Sequence, residues 1–206
     1  MKLFNFSFIA ENGSAVWILI IIAAYFIGNI SPSILISKAA GIDIRKEGSG
    51  NAGTTNMLRV MGKKAAAATL IIDILKGVAA VLLGRFTGGD GLAVLCGIAV
   101  FIGHIWPAAF GFRGGKGIAT GFGVLVTLHS LVGIICLGIA AIGIIASRRI
   151  SVGSLMAAVS LPVLSYLYIP DYIGLLTIMA LIVLFKHRSN LKRLIKGEEP
   201  KINFKK

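Results

Sequence analysis

The strongest constraint on this chain is a series of long apolar runs that contain no charged residue. Residues 12–37 and 117–147 hold no Asp, Glu, Lys or Arg, and the second run is 31 residues long. Hydrophobic residues make up 56% of the 206 residues and charged residues 14%, whereas an ordinary soluble domain is about 25% charged. This pattern excludes a soluble monomer and indicates an integral membrane protein.

The length of the runs predicts the number of spans, because a helix needs about 20 residues to cross a hydrocarbon core of about 30 Å. As one helix, residues 117–147 would be about 46 Å long, which is too long for a single crossing, so we divide this run at His129 and Ser130. We expect an all-α fold in which one membrane-embedded domain, residues 1–206, contains seven transmembrane helices. The predicted spans are residues 15–36, 65–84, 91–112, 116–129, 131–147, 151–169 and 172–187.

The positions of the basic residues predict the orientation, because Lys and Arg concentrate in the cytoplasmic loops of membrane proteins. The chain has 21 Lys and Arg against 8 Asp and Glu, a net charge of +13. With seven spans and the N-terminus outside, 18 of the 21 bases fall on the cytoplasmic side. We therefore expect an external N-terminus and a cytoplasmic C-terminus. Since the bases lie between apolar runs, their charge does not indicate nucleic-acid binding.

A few chemically reactive side chains lie inside the apolar runs. Asp73 and Lys76 interrupt the second run three residues apart, so they are expected to share a helix face and to form an ion pair. Cys96 and Cys136 also lie within apolar runs, which indicates packing residues rather than a disulfide framework or a metal cluster.

The first chemically unusual loop covers residues 48–56 and is rich in Gly, Ser, Thr and Asn. Its glycines can adopt positive φ, which lets successive backbone N–H groups converge on an anion. The loop therefore suits a phosphate, although a simple connector between two membrane helices explains the composition equally well. The spacing of Gly48, Gly50 and Gly53 is not a dinucleotide fingerprint, because that motif follows a β-strand and here a membrane helix precedes the loop.

A second basic, glycine-rich turn covers residues 113–117 and opens the fourth predicted span. A helix N-terminus beside a lysine is a general anion site, and Lys116 is that lysine here. The turn is not a Walker A loop, because Phe110 replaces its first glycine and Gly117 replaces its Ser or Thr. His104, at the end of the third span, fits a hydrogen-bonded residue inside the bundle and a direct substrate contact equally well.

A third polar segment follows the last predicted span. His187 and Asn190 are three residues apart on what we expect to be its continuing end, so they would share one helix face and contact one ligand. Lys192, Arg193 and Lys196 follow, and this run is more typical of a solvated patch that faces anionic lipid headgroups.

These three segments resemble the motifs of the bacterial acyl-phosphate-dependent glycerol-3-phosphate acyltransferase family (PlsY). The resembling stretches are residues 48–56, 104–120, 187–190 and 197–199, together with residues 73–77 and 151–154. The resemblance implies a seven-helix enzyme of the bacterial cytoplasmic (inner) membrane whose active site faces the cytoplasm. It also implies the reaction: a fatty acyl group passes from acyl phosphate to glycerol 3-phosphate, giving 1-acyl-glycerol 3-phosphate (lysophosphatidate) and phosphate, the first step of membrane phospholipid synthesis.

The resemblance also assigns roles to residues. It implies that the catalytic residues are His187, Asn190, Ser49 and Lys116. It implies that the substrate phosphates are bound by Ser49, Gly50, Asn51, Gly53, Thr55, Asn56, Arg59, Gly114, Gly115, Lys116, Gly117 and Ser154. The residues that would support this site are His104, Asp73, Lys76 and Ser151. The implied partners are glycerol 3-phosphate, acyl phosphate and membrane lipids; we expect no metal, no other cofactor and no nucleic acid.

One alternative from another class remains. A membrane transporter of a phosphorylated small solute also places anion-binding helix ends in a bundle, but its polar residues would line several spans, whereas here they cluster at the cytoplasmic ends. The His-x4-Asp mechanism of acyl-CoA-dependent acyltransferases is absent, because the residues five positions after the three histidines are Ala109, Ile134 and Lys192.

Two groups are candidates for the general base that accepts the hydroxyl proton of glycerol 3-phosphate. It is either the phosphate of bound glycerol 3-phosphate, whose second pKa is about 6, with His187 orienting it, or His187 itself.

Overall fold

The structure, a computed structural model, describes residues 15–202, and all regular secondary structure in this range is helical. The α-helices in this range are α1 (Ala15–Asn29), α2 (Pro32–Ala39), α3 (Thr54–Met61), α4 (Lys63–Ile105), α5 (Ile118–Leu128), α6 (Ser130–Ser147), α7 (Ile150–Tyr168), α8 (Ile173–Lys186) and α9 (Arg188–Ile195). Two short 3-10 turns lie at Ala108–Phe110 and Pro170–Tyr172. The expected all-α fold is confirmed for the described residues.

Helix α4 is 43 residues long but contains a break at two glycines. Gly88 and Gly89 leave the helical region, and Gly89 has a φ of +73° that L side chains rarely adopt. The two segments fold back closely, since a Cβ built at Gly84 would lie only 2.6 Å from the carbonyl oxygen of Leu92. The break separates the stretches that were predicted as the second and third spans.

Two predicted spans do not coincide with one continuous helix. The first span, expected as residues 15–36, is two helices bent by 41°, because Pro32 starts α2 and Ser31 before it is held in an extended conformation. The third span, expected to reach residue 112, stops at Ile105, since Trp106 leaves the helical region directly before Pro107.

The later helices follow the predicted order more closely. The division of the long run at His129 is confirmed: His129 is extended and caps α6 by accepting a hydrogen bond from the backbone N–H of Val132 at 3.4 Å. The last span does not continue straight, because α8 and α9 meet at a 53° bend at His187. The continuous helix expected to carry His187 and Asn190 on one face is therefore wrong.

The described helices have the apolar surface of a membrane protein. Three are long and apolar enough to cross a membrane, namely Lys63–Phe110, Ser130–Ser147 and Ile150–Tyr168, and the number rises to five if each of two bent pairs is one span. Large apolar side chains face outward from them; Ile145, for example, is 73% exposed and Phe86 is 82% exposed. An exposed apolar surface of this kind indicates contact with lipid rather than with water.

The described residues divide into two compact units, with the boundary between Leu128 and His129. In the first unit, glycines let helices approach closely: a Cβ at Gly28 would lie 2.9 Å from Cα of Gly103. In the second unit, a Cβ at Gly143 would lie 2.9 Å from Cα of Gly153. Small residues at helix contacts are typical of membrane bundles, where close backbone approach supplies the packing energy.

Candidate active site

The first glycine-rich loop is held in shape by the side chain of Asn56, which is 1% exposed. Its Oδ1 accepts a hydrogen bond from the backbone N–H of Ser49 at 2.9 Å. Its Nδ2 donates to the carbonyl oxygens of Ile44 and Glu47 at 3.0 and 2.9 Å. The side-chain amide of Asn56 is thus hydrogen-bonded to the loop backbone, which gives Asn56 a structural role in addition to the predicted phosphate contact.

The loop presents polar groups to solvent above a buried apolar base. Ser49 and Gly50 are exposed, and Gly50 has a φ of +70°. Helix α3 begins at Thr54, within the last residues of this loop, so its N-terminal N–H groups and the positive end of its dipole lie at the loop. Arg59, exposed on α3, adds a full positive charge. The buried base consists of Ile34, Ile44, Ala52, Met57 and Ala66.

The second glycine-rich turn rests on the C-terminal end of α4. Gly114 and Gly115 donate backbone hydrogen bonds to the carbonyl oxygens of Ile105 and His104, both at 3.2 Å. These bonds satisfy carbonyl groups that a helix end leaves without intrahelical donors. Gly117 has a φ of +84° and leads into α5, and the half-buried Lys116 lies between these glycines.

The two glycine-rich loops meet at Gly115. A Cβ built there would lie 2.9 Å from the carbonyl oxygen of Ala52 in the first loop and 2.8 Å from Cε1 of His104, and it would overlap Nε2 of the same imidazole. Glycine is therefore required at this position by the close approach of the His104 imidazole and the Ala52 carbonyl group. The structure brings together the first and second segments that the sequence singled out.

A buried cluster of Asp73, Lys76 and His104 lies behind this meeting point. The predicted pairing of Asp73 and Lys76 is confirmed, with 2.7 Å between Oδ1 and Nζ. Nδ1 of His104 lies 2.8 Å from Nζ of Lys76 and 3.2 Å from Oδ1 of Asp73. Lys76 also donates to the carbonyl oxygens of Gly28 and Ile30 at 3.1 and 2.8 Å, at the end of α1.

The chain between α4 and the second turn is tied to α1 by residues that the sequence analysis missed. The hydroxyl of Tyr25 donates to the carbonyl oxygen of Trp106 at 2.8 Å and accepts from the N–H of Ala108 at 3.1 Å. Oδ1 of Asn29 accepts from the N–H of Ala109 at 3.1 Å. No spacing rule links residues some 80 positions apart, so these contacts carry no local sequence signal.

Arg45 joins the first loop region to the same segment. Its Nη1 donates to the carbonyl oxygen of Phe110 at 3.0 Å, and its Nε donates to Oδ1 of Asp43 at 2.9 Å. Hydrogen bonds from Arg45 lower the pKa of Asp43 to about 2. This carboxylate therefore stays ionised across the physiological pH range and keeps Arg45 directed at the 3-10 turn Ala108–Phe110.

In the second unit, His187 and Ser154 are both buried. Nδ1 of His187 lies 2.8 Å from the carbonyl oxygen of Val183, and Oγ of Ser154 donates to the carbonyl oxygen of Ile150 at 3.0 Å. A carbonyl oxygen only accepts, so Nδ1 carries a proton in this bond. In the neutral imidazole, Nε2 is then the nitrogen with the lone pair.

Glu199 is the centre of a second polar cluster in this unit. Its Oε1 accepts from Nδ2 of Asn190 at 2.7 Å and from Oγ of Ser151 at 2.8 Å. Its Oε2 accepts from Nε of Arg193 at 2.7 Å, and its carbonyl oxygen accepts from Nε of Arg149 at 3.0 Å. Glu199 lies in one of the resembling stretches, residues 197–199, but the sequence predicts no role for it.

The electrostatics of Glu199 reflect two opposing effects. Burial raises the pKa of the carboxyl group, whereas the hydrogen bonds from Asn190, Ser151 and Arg193 and the charge of Arg193 lower it, and the pKa is lowered overall. The carboxylate is thus ionised at neutral pH and organises the segment that carries Asn190.

Comparison with known proteins assigns the chain. The family model described as glycerol-3-phosphate acyltransferase matches residues 18–197. The chain belongs to the glycerol-3-phosphate acyltransferase family. The expected resemblance is therefore confirmed at the level of the family.

Relatives in the glycerol-3-phosphate acyltransferase family match nearly end to end. A glycerol-3-phosphate acyltransferase of Thermoanaerobacter sp. (strain X514) is 44% identical over 191 residues, covering 91% of this chain and 96% of the relative. One of Clostridioides difficile (strain 630) is 40% identical over 202 residues, covering 92% and 97%.

Solved structures of this family have the same fold. The crystal structure of PlsY (YgiH), an integral membrane glycerol 3-phosphate acyltransferase, in its glycerol 3-phosphate form has a TM-score of 0.87 and 29% identity, covering 92% of this chain and 96% of that chain. The lysophosphatidic acid form of the same protein has a TM-score of 0.84. The similarity confirms that this chain has the fold of an integral membrane acyltransferase.

The predicted site residues of this family member fall into two groups. The first unit holds the residues of the two loops and their supports: Ser49, Gly50, Asn51, Gly53, Thr55, Asn56, Arg59, Asp73, Lys76, His104, Gly114, Gly115, Lys116 and Gly117. The second unit holds Ser151, Ser154, His187 and Asn190. Within residues 15–202, no three His, Cys, Asp or Glu side chains are grouped as metal ligands.

Proposed function

We propose that this protein transfers a fatty acyl group from acyl phosphate to glycerol 3-phosphate and releases lysophosphatidate and phosphate, the first step of membrane phospholipid synthesis. The observation that carries the proposal is the meeting of the two glycine-rich loops at Gly115, beside Lys116 and on the unit that carries Arg59. A family of acyltransferases, with structures in glycerol 3-phosphate and lysophosphatidic acid forms, favours this reaction over solute transport.

The arrangement suits two phosphorylated substrates. Each carries about one to two negative charges, so two phosphates that approach each other repel unless cations and N–H groups offset their charge. The two loops supply N–H groups and hydroxyls, and Arg59 and Lys116 supply two full positive charges. In this proposal phosphate is contacted by Ser49, Gly50, Asn51, Gly53 and Thr55 of the first loop and by Gly114, Gly115 and Gly117 of the second turn. Asn56 holds the first loop in shape and is proposed to contact phosphate as well.

The chemistry needs no covalent enzyme intermediate. The hydroxyl oxygen of glycerol 3-phosphate attacks the acyl carbonyl carbon, a new C–O ester bond forms, and the bond between the acyl carbon and the phosphate oxygen breaks. The electron pair of that bond leaves with inorganic phosphate, and the hydroxyl proton passes to a base. Because a mixed anhydride is already activated, holding the two substrates together supplies the main assistance, worth about 7–11 kcal/mol for well-oriented groups.

The base is proposed to be the phosphate of bound glycerol 3-phosphate, oriented by His187. The bond from Nδ1 of His187 to the carbonyl oxygen of Val183 fixes the orientation of the ring, and Nε2 is an acceptor when the imidazole is neutral and a donor when it is protonated. The same geometry suits the rival hypothesis, in which His187 itself takes the proton. Asn190, held by Glu199, and Ser154 are proposed to contact substrate as well.

We also propose that the chain is one membrane-embedded domain with seven spans, an external N-terminus and a cytoplasmic C-terminus. The seven apolar segments would be α1, the two parts of α4 on either side of Gly88 and Gly89, and α5 to α8. The basic loops then lie in the cytoplasm of a bacterium, with the active site facing that side of the inner membrane.

Helix α9 supports this orientation. After the bend at His187 it exposes Leu191 and Ile195, the latter by 86%, next to the exposed bases Lys192 and Lys196. A helix with apolar and basic residues side by side is typical of a segment that lies along anionic headgroups.

The test is a donor-specific assay on purified protein in detergent. Glycerol 3-phosphate is supplied with palmitoyl phosphate or with palmitoyl-CoA, and lysophosphatidate and free phosphate are measured. We expect both products from palmitoyl phosphate alone, strong loss of activity in Arg59→Ala and Lys116→Ala, and little change in Lys64→Ala, a matched control at an exposed lysine near the loops.

Two outcomes would overturn the proposal. Turnover with palmitoyl-CoA and none with palmitoyl phosphate would overturn the donor. Absence of turnover with either donor, combined with saturable uptake of glycerol 3-phosphate into proteoliposomes, would identify a transporter instead.

A further inference from the structure

Three ionisable side chains form a buried cluster that takes no part in the chemical steps described above. Asp73, Lys76 and His104 are 2%, 4% and 5% exposed. Nζ of Lys76 lies 2.7 Å from Oδ1 of Asp73 and 2.8 Å from Nδ1 of His104. Charged groups inside a membrane helix are costly even when paired, so a cluster of this kind needs a role that a pair of apolar residues could not fill.

Lys76 connects the cluster to the break between α1 and α2. Its ammonium group donates to the carbonyl oxygens of Gly28 and Ile30 at 3.1 and 2.8 Å. Carbonyl groups at a helix end have no intrahelical donors, and in lipid no water replaces them. Lys76 therefore fixes the end of α1, and α2 and the first glycine-rich loop follow this point in the chain.

His104 connects the same cluster to the second loop. Nδ1 of its imidazole lies 2.8 Å from Nζ of Lys76 and 3.2 Å from Oδ1 of Asp73, so the ion pair holds the ring from one side. Nε2 lies on the side of Gly115, where a Cβ would overlap it. The backbone N–H of Gly115 also donates to the carbonyl oxygen of His104 at 3.2 Å.

We propose that Asp73 and Lys76 are positioning residues for acyl transfer, which act through His104 to fix the contact of Gly115 with Ala52 where the two phosphate-binding loops meet. The inference rests on the proposed function. The loops would hold the phosphates in the ground state and in the transition state alike. Displacing them therefore raises KM for glycerol 3-phosphate, while kcat changes little.

The experiment replaces the charged pair by a neutral pair, Asp73→Asn with Lys76→Met. Removing both charges together avoids leaving one buried charge without its partner. The control is Arg85→Met with Asp90→Asn, which removes an ion pair of 3.0 Å across the Gly88–Gly89 break of α4, together with the hydrogen bonds from Arg85 to the carbonyl oxygens of Thr127 and Leu128. Purified proteins are assayed with palmitoyl phosphate and varied glycerol 3-phosphate, and folding is checked by the thermal unfolding midpoint.

We expect KM for glycerol 3-phosphate to rise by about tenfold or more in the Asp73 and Lys76 variant, with kcat within about threefold of the wild type. The control should leave both constants unchanged. Adding His104→Asn to the neutral pair should raise KM no further than His104→Asn alone, because both changes act through one contact and are not additive.

The outcomes distinguish failure of the positioning role from failure of the proposed acyl transfer. If wild type and control make lysophosphatidate and the folded neutral-pair variant keeps its KM, or if its effect multiplies with that of His104→Asn, the positioning role is wrong. If the neutral pair does not fold, His104→Asn decides alone, and an unchanged KM overturns the inference. If neither the wild type nor the control has turnover, the proposed function fails and this inference with it.

Discussion

Asn190 and Glu199 are joined by a hydrogen bond of 2.7 Å between the amide Nδ2 and the carboxylate Oε1. The bond joins α9 to a residue nine positions further along the chain and fixes the rotamer of the amide, so that Oδ1 points away from the carboxylate. Because Ser151 and Arg193 donate to the same carboxylate, Glu199 links α7, α9 and the chain that follows. Asn190, which is proposed to contact substrate, is therefore oriented by the buried carboxylate of Glu199.

Glu199→Gln should destabilise the protein. The carboxylate accepts three side-chain hydrogen bonds, and Gln has one acceptor oxygen, so its NH2 group would face another donor. Hydrogen bonds to charged groups contribute about 1.5–3 kcal/mol, and we expect a loss of that size in the free energy of unfolding, measured by denaturant titration in detergent. Glu198→Gln is the matched control, since Glu198 is next to Glu199 in the chain but is exposed. Equal stability of the two variants would contradict the assigned role of Glu199.

The stabilisation by Glu199 should depend on pH. Its pKa is lowered from the usual 4.5 in the folded protein, chiefly by hydrogen bonds that outweigh the effect of burial. A lowered pKa adds stability that is fully present above the unfolded pKa and is lost as the pH falls through the folded value. The difference in unfolding midpoint between wild type and Glu199→Gln should be constant from pH 7 to about 5 and narrow below pH 4.5. A difference that stays constant down to pH 3 would contradict the ionised carboxylate.

Gly115→Ala should impair catalysis without unfolding the protein. The new Cβ would overlap Nε2 of His104 and lie 2.9 Å from the carbonyl oxygen of Ala52, so the two loops must move apart. A displacement of about 1 Å at a site can reduce activity by about 100-fold, and we expect a loss of about 10- to 100-fold in kcat/KM. In Gly121→Ala, the nearest contact of the Cβ is 3.7 Å from Phe101, so this control should keep wild-type activity. Similar activity in both variants would show that the contact is dispensable.

Local sequence rules predicted the parts of this structure that depend on neighbours along the chain. The spacing of Asp73 and Lys76 predicted an ion pair that the structure contains, and the length of the apolar run predicted the break at His129. Pro32 carried a signal for the break before α2 that the charge-free run obscured, because a proline starts a helix without its N–H.

The parts that sequence rules did not predict depend on long-range contacts. The meeting of Gly115 with Ala52 joins loops more than 60 residues apart, and the bond from Tyr25 to Trp106 joins residues 81 positions apart. The bend at His187 escaped the helical spacing rule, since nothing in the local pattern ends the helix at that residue. The role of Glu199 depends on hydrogen bonds from Ser151 of α7 and Arg193 of α9, and the sequence spacing of these residues does not predict that they meet.

His187→Gln distinguishes the two candidate bases. If the phosphate of glycerol 3-phosphate takes the proton, kcat falls by about 10- to 100-fold through poorer orientation, but the rise of rate with pH near the second phosphate pKa of about 6 remains. If His187 is the base, the variant that still binds glycerol 3-phosphate loses this pH dependence. His129→Gln controls for a histidine change outside the proposed site, since His129 caps α6. We expect kcat of His187→Gln to keep its pH dependence, measured from pH 5 to 8 with saturating substrates, because the proposed base is the substrate phosphate, which the variant retains.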